Sequence, residues 1–370
     1  MSSRDQSLTR RRFLTRAAGG AAALTVAGFG FNALKFSPTE GETLYASGYN
    51  DDFWKYAQAS GASASLPFQQ VKSGGGQYVR QMIDWRVVQP TPASPLDFSP
   101  YDSLRRQAKA HGLKVLPHFL NCCPEFSAPD SSERILYPSP ANYENFGGFV
   151  AASMDYFDEV ANAAEIWNEP NLPEFGGVPP DVFAALVRAS CDAIDYYEGI
   201  GAFKSRPKRV VSGGLSVRGD WRSYQSDFTS QVGDRAFDFG LHSYDFRSFT
   251  GWTPDALADD IAAQALASVD EATTLLRADQ KVWLTEIGVP AKAPLGRSGQ
   301  ARALAAIADG LRVRPRCAAM IVHRLYPNPD DRDEQLPTSA FFDTAVFDAP
   351  YGTPEEAYFE LAAGWLGASA

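Results

Sequence analysis

From about residue 42 onward, short β-rich runs alternate with helix-forming stretches, a pattern that limits the chain to folds built on a parallel sheet. Eight runs stand out. They are TLYASGY (43–49), QYVRQMIDW (77–85), LKVLPHFL (113–120), AAEIWN (163–168), RVVSGGL (209–215), FDFGLHSY (237–244), KVWLTEI (281–287) and AAMIVHRLY (318–326). Helical patterns fall around 102–111, 142–160, 180–197, 254–277, 298–312 and 354–365. The punctuation agrees: Ser99 and Pro100 read as N-cap and first position of one helix with Gly112 as its stop, and Thr353 and Pro354 open the last in the same way. Eight strands in a body of about 330 residues fit a single closed (β/α)8 TIM barrel. The alternative is an open, doubly wound sheet, but no G-x-G-x-x-G or P-loop pattern follows any run, and Gly74-Gly75-Gly76 precedes one. A barrel demands that functional groups gather at the C-terminal ends of its strands.

The first segment is of another kind. Thr9-Arg10-Arg11-Arg12-Phe13-Leu14 leads into an apolar, small-residue run from Ala17 to Leu34. A paired arginine, a basic start and an apolar core read as a twin-arginine export signal, with the export machinery as partner. The other reading is an uncleaved anchor, because the run approaches the length of a bilayer span; membrane contact would then be through this segment alone. Either way residues 1–38 stand apart from a catalytic domain at 39–370, which is expected in the periplasm, the cell envelope or the exterior. Removing residues 1–35 takes away a net charge of +5 and leaves the body at −15 instead of −10. Such a body repels nucleic acid and anionic surfaces. The four cysteines, including adjacent Cys122 and Cys123, are too few for a disulfide framework and lack metal-site spacing. Buried thiols are expected, with a Cys122–Cys123 disulfide as the alternative.

The strand ends carry the chemistry. Glu169, in EIWNEPN, closes the fourth run, and Glu286, in VWLTEIGVP, closes the seventh. In a barrel both open onto one face. Two carboxyl groups flanking a bound sugar are what glycosidic cleavage requires: one protonates the leaving oxygen, the other attacks the anomeric carbon or activates water. Arg80 in the second run and Tyr244 at the end of the sixth are placed to hold Glu286 ionised. Glu169, beside Trp167 and Pro170, sits where partial desolvation favours its protonated form. Glu169 therefore reads as acid/base and Glu286 as nucleophile.

These motifs resemble the clan A glycoside hydrolases, retaining enzymes on (β/α)8 barrels, of the family 39 and family 5 types, over residues 77–365. YVRQMIDWRVVQP is similar to their second-strand segment, with Arg80, Trp85 and Pro90. AHGLKVLPHFLNCCPEFS resembles their third strand and its loop. EIWNEPN is similar to the fourth-strand motif, which implies that Glu169 is the acid/base and that Asn168 bonds the sugar 2-hydroxyl. LHSY resembles the H-x-Y of the sixth strand, giving His242 and Tyr244, and WLTEIG resembles the seventh-strand nucleophile motif, giving Glu286. One departure is the missing tryptophan near the end of strand eight; IVHRLYPNPDD offers Tyr326 instead. The resemblance implies a retaining O-glycosidase acting on a β-linked polysaccharide or oligosaccharide, with no cofactor.

Further lining is expected from His118 on the third strand, and from Trp85 and Tyr326 as sugar platforms, chosen from a set that includes Phe119, Phe126, Phe175, Phe246, Phe249 and Trp252. Two other functions use the same barrel mouth. A metal-assisted hydrolase would draw on His118, His242, His323, Asp84 and Glu286, yet the sequence has neither H-x-H nor H-E-x-x-H, and that reading leaves WNEPN unexplained. A catalytically inactive carbohydrate-binding barrel would lack one carboxylate, and both are present.

Overall fold

The computed structural model describes residues 45–131, 134–205, 208–244, 251–291, 293–327, 344–348 and 352–366. The expected export segment, Phe246 and Phe249 lie outside these residues. Eight parallel strands close into a barrel. They are β1 (Ala46–Asn50), β2 (Tyr78–Asp84), β3 (Lys114–Leu120), β4 (Ala163–Ile166), β5 (Arg209–Ser212, continued by Leu215–Ser216), β6 (Phe237–Ser243), β7 (Val282–Ile287) and β8 (Cys317–His323). The ring runs in sequence order, and β8 pairs with β1 to complete it. Among the described residues no helix is long and apolar enough to cross a membrane.

Strand periodicity builds two cores. Outward-facing residues such as Val79, Ile83, Val115, Ile166 and Leu284 pack against the surrounding helices in one large buried cluster. Inward-facing Tyr78, Leu116, Ala163, Val211, Trp283, Ala319 and Ile321 fill the barrel floor as a second cluster. Gly48 is small because a Cβ there would lie 2.4 Å from the Tyr78 carbonyl oxygen. Two residues further along the same inward rows stand Arg80, His118, Glu165 and His323, all buried. The floor is thus apolar and the next layer polar.

The helices at Asp102–Ala110, Tyr143–Tyr156, Pro180–Gly199, Pro254–Thr274, Gly296–Arg312 and Glu356–Leu366 follow the expected pattern. Their starts differ in detail. Ser99 lies in a 3-10 turn, its N–H held by Asp97, and makes no cap; the helix begins at Asp102. Thr353 bonds Asp348, and the last helix begins at Glu356. Gly112 does end its helix, with φ at +63°. A helix not foreseen, Trp221–Val232, crosses between β5 and β6. The four cysteines are unpaired and buried.

Candidate active site

At the C-terminal ends of the strands a cleft of about 550 Å³ is lined by residues that include Asn50, Arg80, His118, Asn168, Glu169, Phe175, Tyr244, Glu286 and His323. Two local departures from regular strand geometry aim the carboxyl groups. On β7, the pairing with β6 slips so that Leu241 faces Leu284 but His242 faces Glu286. One extra residue, Thr285, is absorbed there. Since Trp283 points inward, strict alternation would turn Glu286 outward, and the bulge brings it back to the mouth. At the end of β4, Trp167 and Glu169 take φ values of 75° and 40°, in the left-handed region that non-glycine residues rarely occupy. Backbone bonds hold this strained turn: Trp167 N–H donates to Phe119 O at 2.9 Å and Glu169 N–H to Gly214 O at 3.1 Å.

Arg80 organises the layer beneath. Fully buried, its Nε and Nη2 donate to Glu165 at 2.6 and 3.1 Å, Nη2 to Asn168 Oδ1 at 2.8 Å, and Nη1 to Glu286 Oε1 at 2.5 Å. Asn50 Nδ2 donates to the same Glu286 oxygen at 3.2 Å, and the Tyr244 hydroxyl to the other at 2.8 Å. Burial opposes ionisation of Glu286, but the charges of His242 and Arg80 and the Tyr244 bond hold its carboxyl far below the usual range. Burial likewise opposes Glu165, whose carboxyl is nevertheless brought down to about 2 by Arg80 and His242.

His242 stands among three carboxyls, its Nδ1 3.2 Å from Glu169 Oε1 and 3.7 Å from Glu286 Oε2, and its Nε2 3.8 Å from Glu165 Oε1. Burial disfavours its charged form, yet Glu286, Glu165 and Glu169 push the imidazole up to about 9. Sharing one nitrogen also brings the two carboxyl groups together, as a pair acting on one bond requires. His118 and His323 also reach the cleft; burial first, and then the Arg80 charge at His118 and the Arg324 charge at His323, lower both to about 3, so they are neutral.

Of the sequence candidates, Glu169, Glu286, Asn168, Arg80, Tyr244 and His118 line the cleft, and His242 joins Glu169 to Glu286 from below. Two candidates do not. Trp85 is 1% exposed, packed between Phe126 and Phe149 with its Nε1 donating to Gln89. Tyr326 is fully buried, its ring against Tyr56 and Phe347 and its hydroxyl bonded to Gln70. Both are core residues, while Phe175 and Tyr244 bring aromatic rings to the cleft. Trp167 is fully buried against Phe146, outside the cleft, and pins Phe175 by donating Nε1–H to its carbonyl at 3.0 Å. It is His242, rather than Trp167, that stands beside Glu169. The metal reading fails on geometry. Asp84 is engaged by Arg86 and Asn121 away from the cleft, while both Glu286 oxygens are taken by donors with an arginine at 2.5 Å. Among the described residues no group of three acids, histidines or cysteines is arranged to hold a metal.

Sequence reasoning missed Asn50 and Glu165. Glu165 had a signal: a lone charge inside the otherwise apolar AAEIW demands a buried partner. Asn50, at the end of an unremarkable first strand, had none.

No protein-family model matches the sequence, and no curated protein matches it. Solved structures do. A family 39 glycoside hydrolase from the gut symbiont Bacteroides cellulosilyticus WH2 is 16% identical with a TM-score of 0.57, over 86% of this chain and 62% of that one. An exo-β-1,4-mannosidase from Opitutaceae bacterium strain TAV5 is 15% identical with a TM-score of 0.62, over 90% and 61%. An endo-β-1,4-glucanase from Xanthomonas axonopodis pv. citri is 12% identical with a TM-score of 0.60, over 88% and 100%. The chain has the fold of these enzymes. It spans less than two thirds of the length of the first two.

Proposed function

We propose that this protein is a retaining glycoside hydrolase that cleaves β-linked O-glycosidic bonds by double displacement. The observation that carries the reading is the asymmetry of the two carboxyl groups across His242. Glu286 is pinned as a carboxylate by Arg80, Asn50 and Tyr244, whereas Glu169 meets the His242 imidazole and borders the cleft. One group is therefore fixed as an anion, as a nucleophile must be, and the other is left able to give and take a proton. Glu286 attacks the anomeric carbon while Glu169 protonates the departing oxygen; water, deprotonated by Glu169, then releases the sugar. Asn168, oriented by Arg80 at 2.8 Å, presents its amide nitrogen as donor to a sugar hydroxyl. The fold shared with an exo-mannosidase and an endo-glucanase supports a carbohydrate substrate of some kind. The export-like first segment supports a polymer, or its fragments, outside the cytoplasm or in the cell envelope.

The test is hydrolysis of aryl β-glycosides and polysaccharides by the native protein, Glu286→Ala and Glu169→Ala. Cleavage lost in both variants, with azide restoring turnover of an activated glycoside by Glu169→Ala as a β-glycosyl azide, is the expected result. An α-configured azide would overturn retention, and full activity in either variant would overturn the pair.

A further inference from the structure

Beneath the two catalytic carboxyl groups lies a buried charge cluster whose third acid, Glu165, has no place in double displacement. It is fully buried and accepts from Arg80 Nε and Nη2 and from the Gly214 N–H at 3.1 Å, the same oxygen lying 3.8 Å from His242 Nε2. An acid that only anchored Arg80 would not need to face the imidazole as well. The titratable groups around His242 are Arg80 on β2, His118 on β3, Glu165 and Glu169 on and after β4, Tyr244 beyond β6, Glu286 on β7 and His323 on β8; β1 and β5 bring the uncharged Asn50 and Gly214, and Arg324, just past β8, donates to His323. His118, His323 and Tyr244 are neutral near pH 7, each held so chiefly by burial. The cluster's charge is thus set by Arg80, His242, Glu165, Glu286 and Glu169.

The geometry points to Glu165 as a positioning residue that keeps this buried cluster neutral at both stages of the reaction, and so fixes when Glu169 holds its proton. The inference rests on the retaining reading above. In the resting protein Arg80 and protonated His242 carry two positive charges. Glu165 and Glu286 supply two negative ones, so the neutral cluster is the one in which Glu169 is protonated and ready as an acid. When the anomeric C–O bond breaks and the bond to Glu286 forms, Glu286 becomes an uncharged ester and the Glu169 proton leaves on the aglycone oxygen. Arg80 and His242 then face Glu165 and ionised Glu169, and the cluster is neutral again, with Glu169 ready as a base. Water returns the proton to Glu169 and its hydroxyl to the sugar, restoring the first state. A net charge in so dry a site is costly, so each step moves between favoured states. Without the Glu165 charge the balance shifts by one. The neutral resting cluster would then have only one proton shared by His242 and Glu169, and the general acid would be spent before substrate arrives.

The experiment has two arms. In the first, Glu165→Gln, which keeps shape and oxygen acceptor but not charge, is compared with the native protein across pH and leaving groups. The alkaline limb of kcat/KM is expected to move down by about 1–2 pH units. Aryl glycosides with poor leaving groups should lose on the order of 100-fold, while dinitrophenyl glycosides, which need no acid, lose less than about 10-fold. Glu165→Asp, restoring the charge, should recover much of the loss. An unmoved limb with equal losses on every leaving group would show a merely structural Glu165 and overturn the inference. The second arm needs neither activity nor a variant at Glu165. The chain has four histidines, so imidazole NMR resolves them, and His242 is assigned by its absence in His242→Asn. One imidazole, His242, is expected to stay doubly protonated at pH 7.5; if His242 is neutral there, the charge count fails. A native protein that cleaves no glycoside but keeps its imidazolium would sink the function and leave the cluster standing, so the two failures can be told apart.

Discussion

Arg80 shows how much one side chain can determine here. Its guanidinium, fully buried, is shared among Glu165, Glu286, Asn168 and Asn50, four partners on three different strands or their ends. Replacing it by leucine leaves two buried carboxylates without their counter-charge, a change expected to cost about 3–5 kcal/mol at pH 7. Urea denaturation measures it. The sign with pH is definite. Glu165 is depressed from an ordinary 4.5 to about 2, so the stability it gains from Arg80 is present above about 4.5 and disappears as pH falls toward 2. The deficit of Arg80→Leu should therefore close on acidification; one of constant size would point to lost packing instead. Arg80→Lys keeps a charge but cannot form the fork, and should fold better than the leucine variant yet remain far less active. At this scale the sequence was legible where chemistry demands a particular residue type. Glu169, Glu286, Asn168, Arg80 and Tyr244 all stand in the cleft as their motifs implied. It was not legible for Trp85 and Tyr326, because an aromatic at a strand end is compatible with facing either the cleft or the helices, and packing against Phe149 and Phe347 decided that.

At the scale of elements, all eight strands were readable because both faces of a barrel strand are covered, leaving short runs dominated by apolar residues with only one or two charges in most of them. The helix Trp221–Val232 was hidden because its buried face is carried by Trp221, Gln225, Phe228 and Val232 alone, with serines, an arginine and an aspartate between. Its N-cap, Asp220 accepting from the Ser223 N–H, was the signal available. The bulge at Thr285 left no mark in the sequence, since it depends on which partner residue the strand meets. Glycines give a sharper test of element packing. Gly147 and Gly148 are neighbours in the helix Tyr143–Tyr156, yet a Cβ at Gly147 would lie 2.3 Å from the Ala189 carbonyl oxygen, and one at Gly148 meets nothing within 4 Å. Gly148→Ala is expected to stabilise by roughly 0.5–1 kcal/mol through helix propensity, and Gly147→Ala to destabilise by pushing two helices apart. Opposite shifts in melting temperature would bear this out; shifts of the same sign would mean the helix contact is misplaced. Gly214, in the break of β5, belongs to the site: a Cβ there would stand 2.1 Å from His242 Nε2. Gly214→Ala should thus cost activity more than stability, because the imidazole must move away from three carboxyls.

For the whole molecule, one polar layer sets the dependence of stability on pH. His242 is raised from 6.5 to about 9, so its contribution is complete below 6.5 and is lost as pH climbs toward 9. His118 and His323 are depressed to about 3, so the unfolded chain takes up protons that the folded one refuses as pH falls from 6.5 toward 3. Glu165 adds a loss below about 4.5. All four groups belong to the inner rows of the barrel and its mouth, where the chain is driest. Together they place the maximum near pH 6.5, well above the isoelectric point of about 5.0. Net charge alone would argue otherwise, since self-repulsion in so acidic a protein is least at its isoelectric point. Urea denaturation at a series of pH values separates the two. A maximum between about pH 6 and 7, with the alkaline slope flattened in His242→Asn, is what the buried layer requires. A maximum near pH 5 that is unchanged in that variant would mean surface charge governs the fold, and that the cluster under the two carboxyl groups is not held in the charge state its geometry implies.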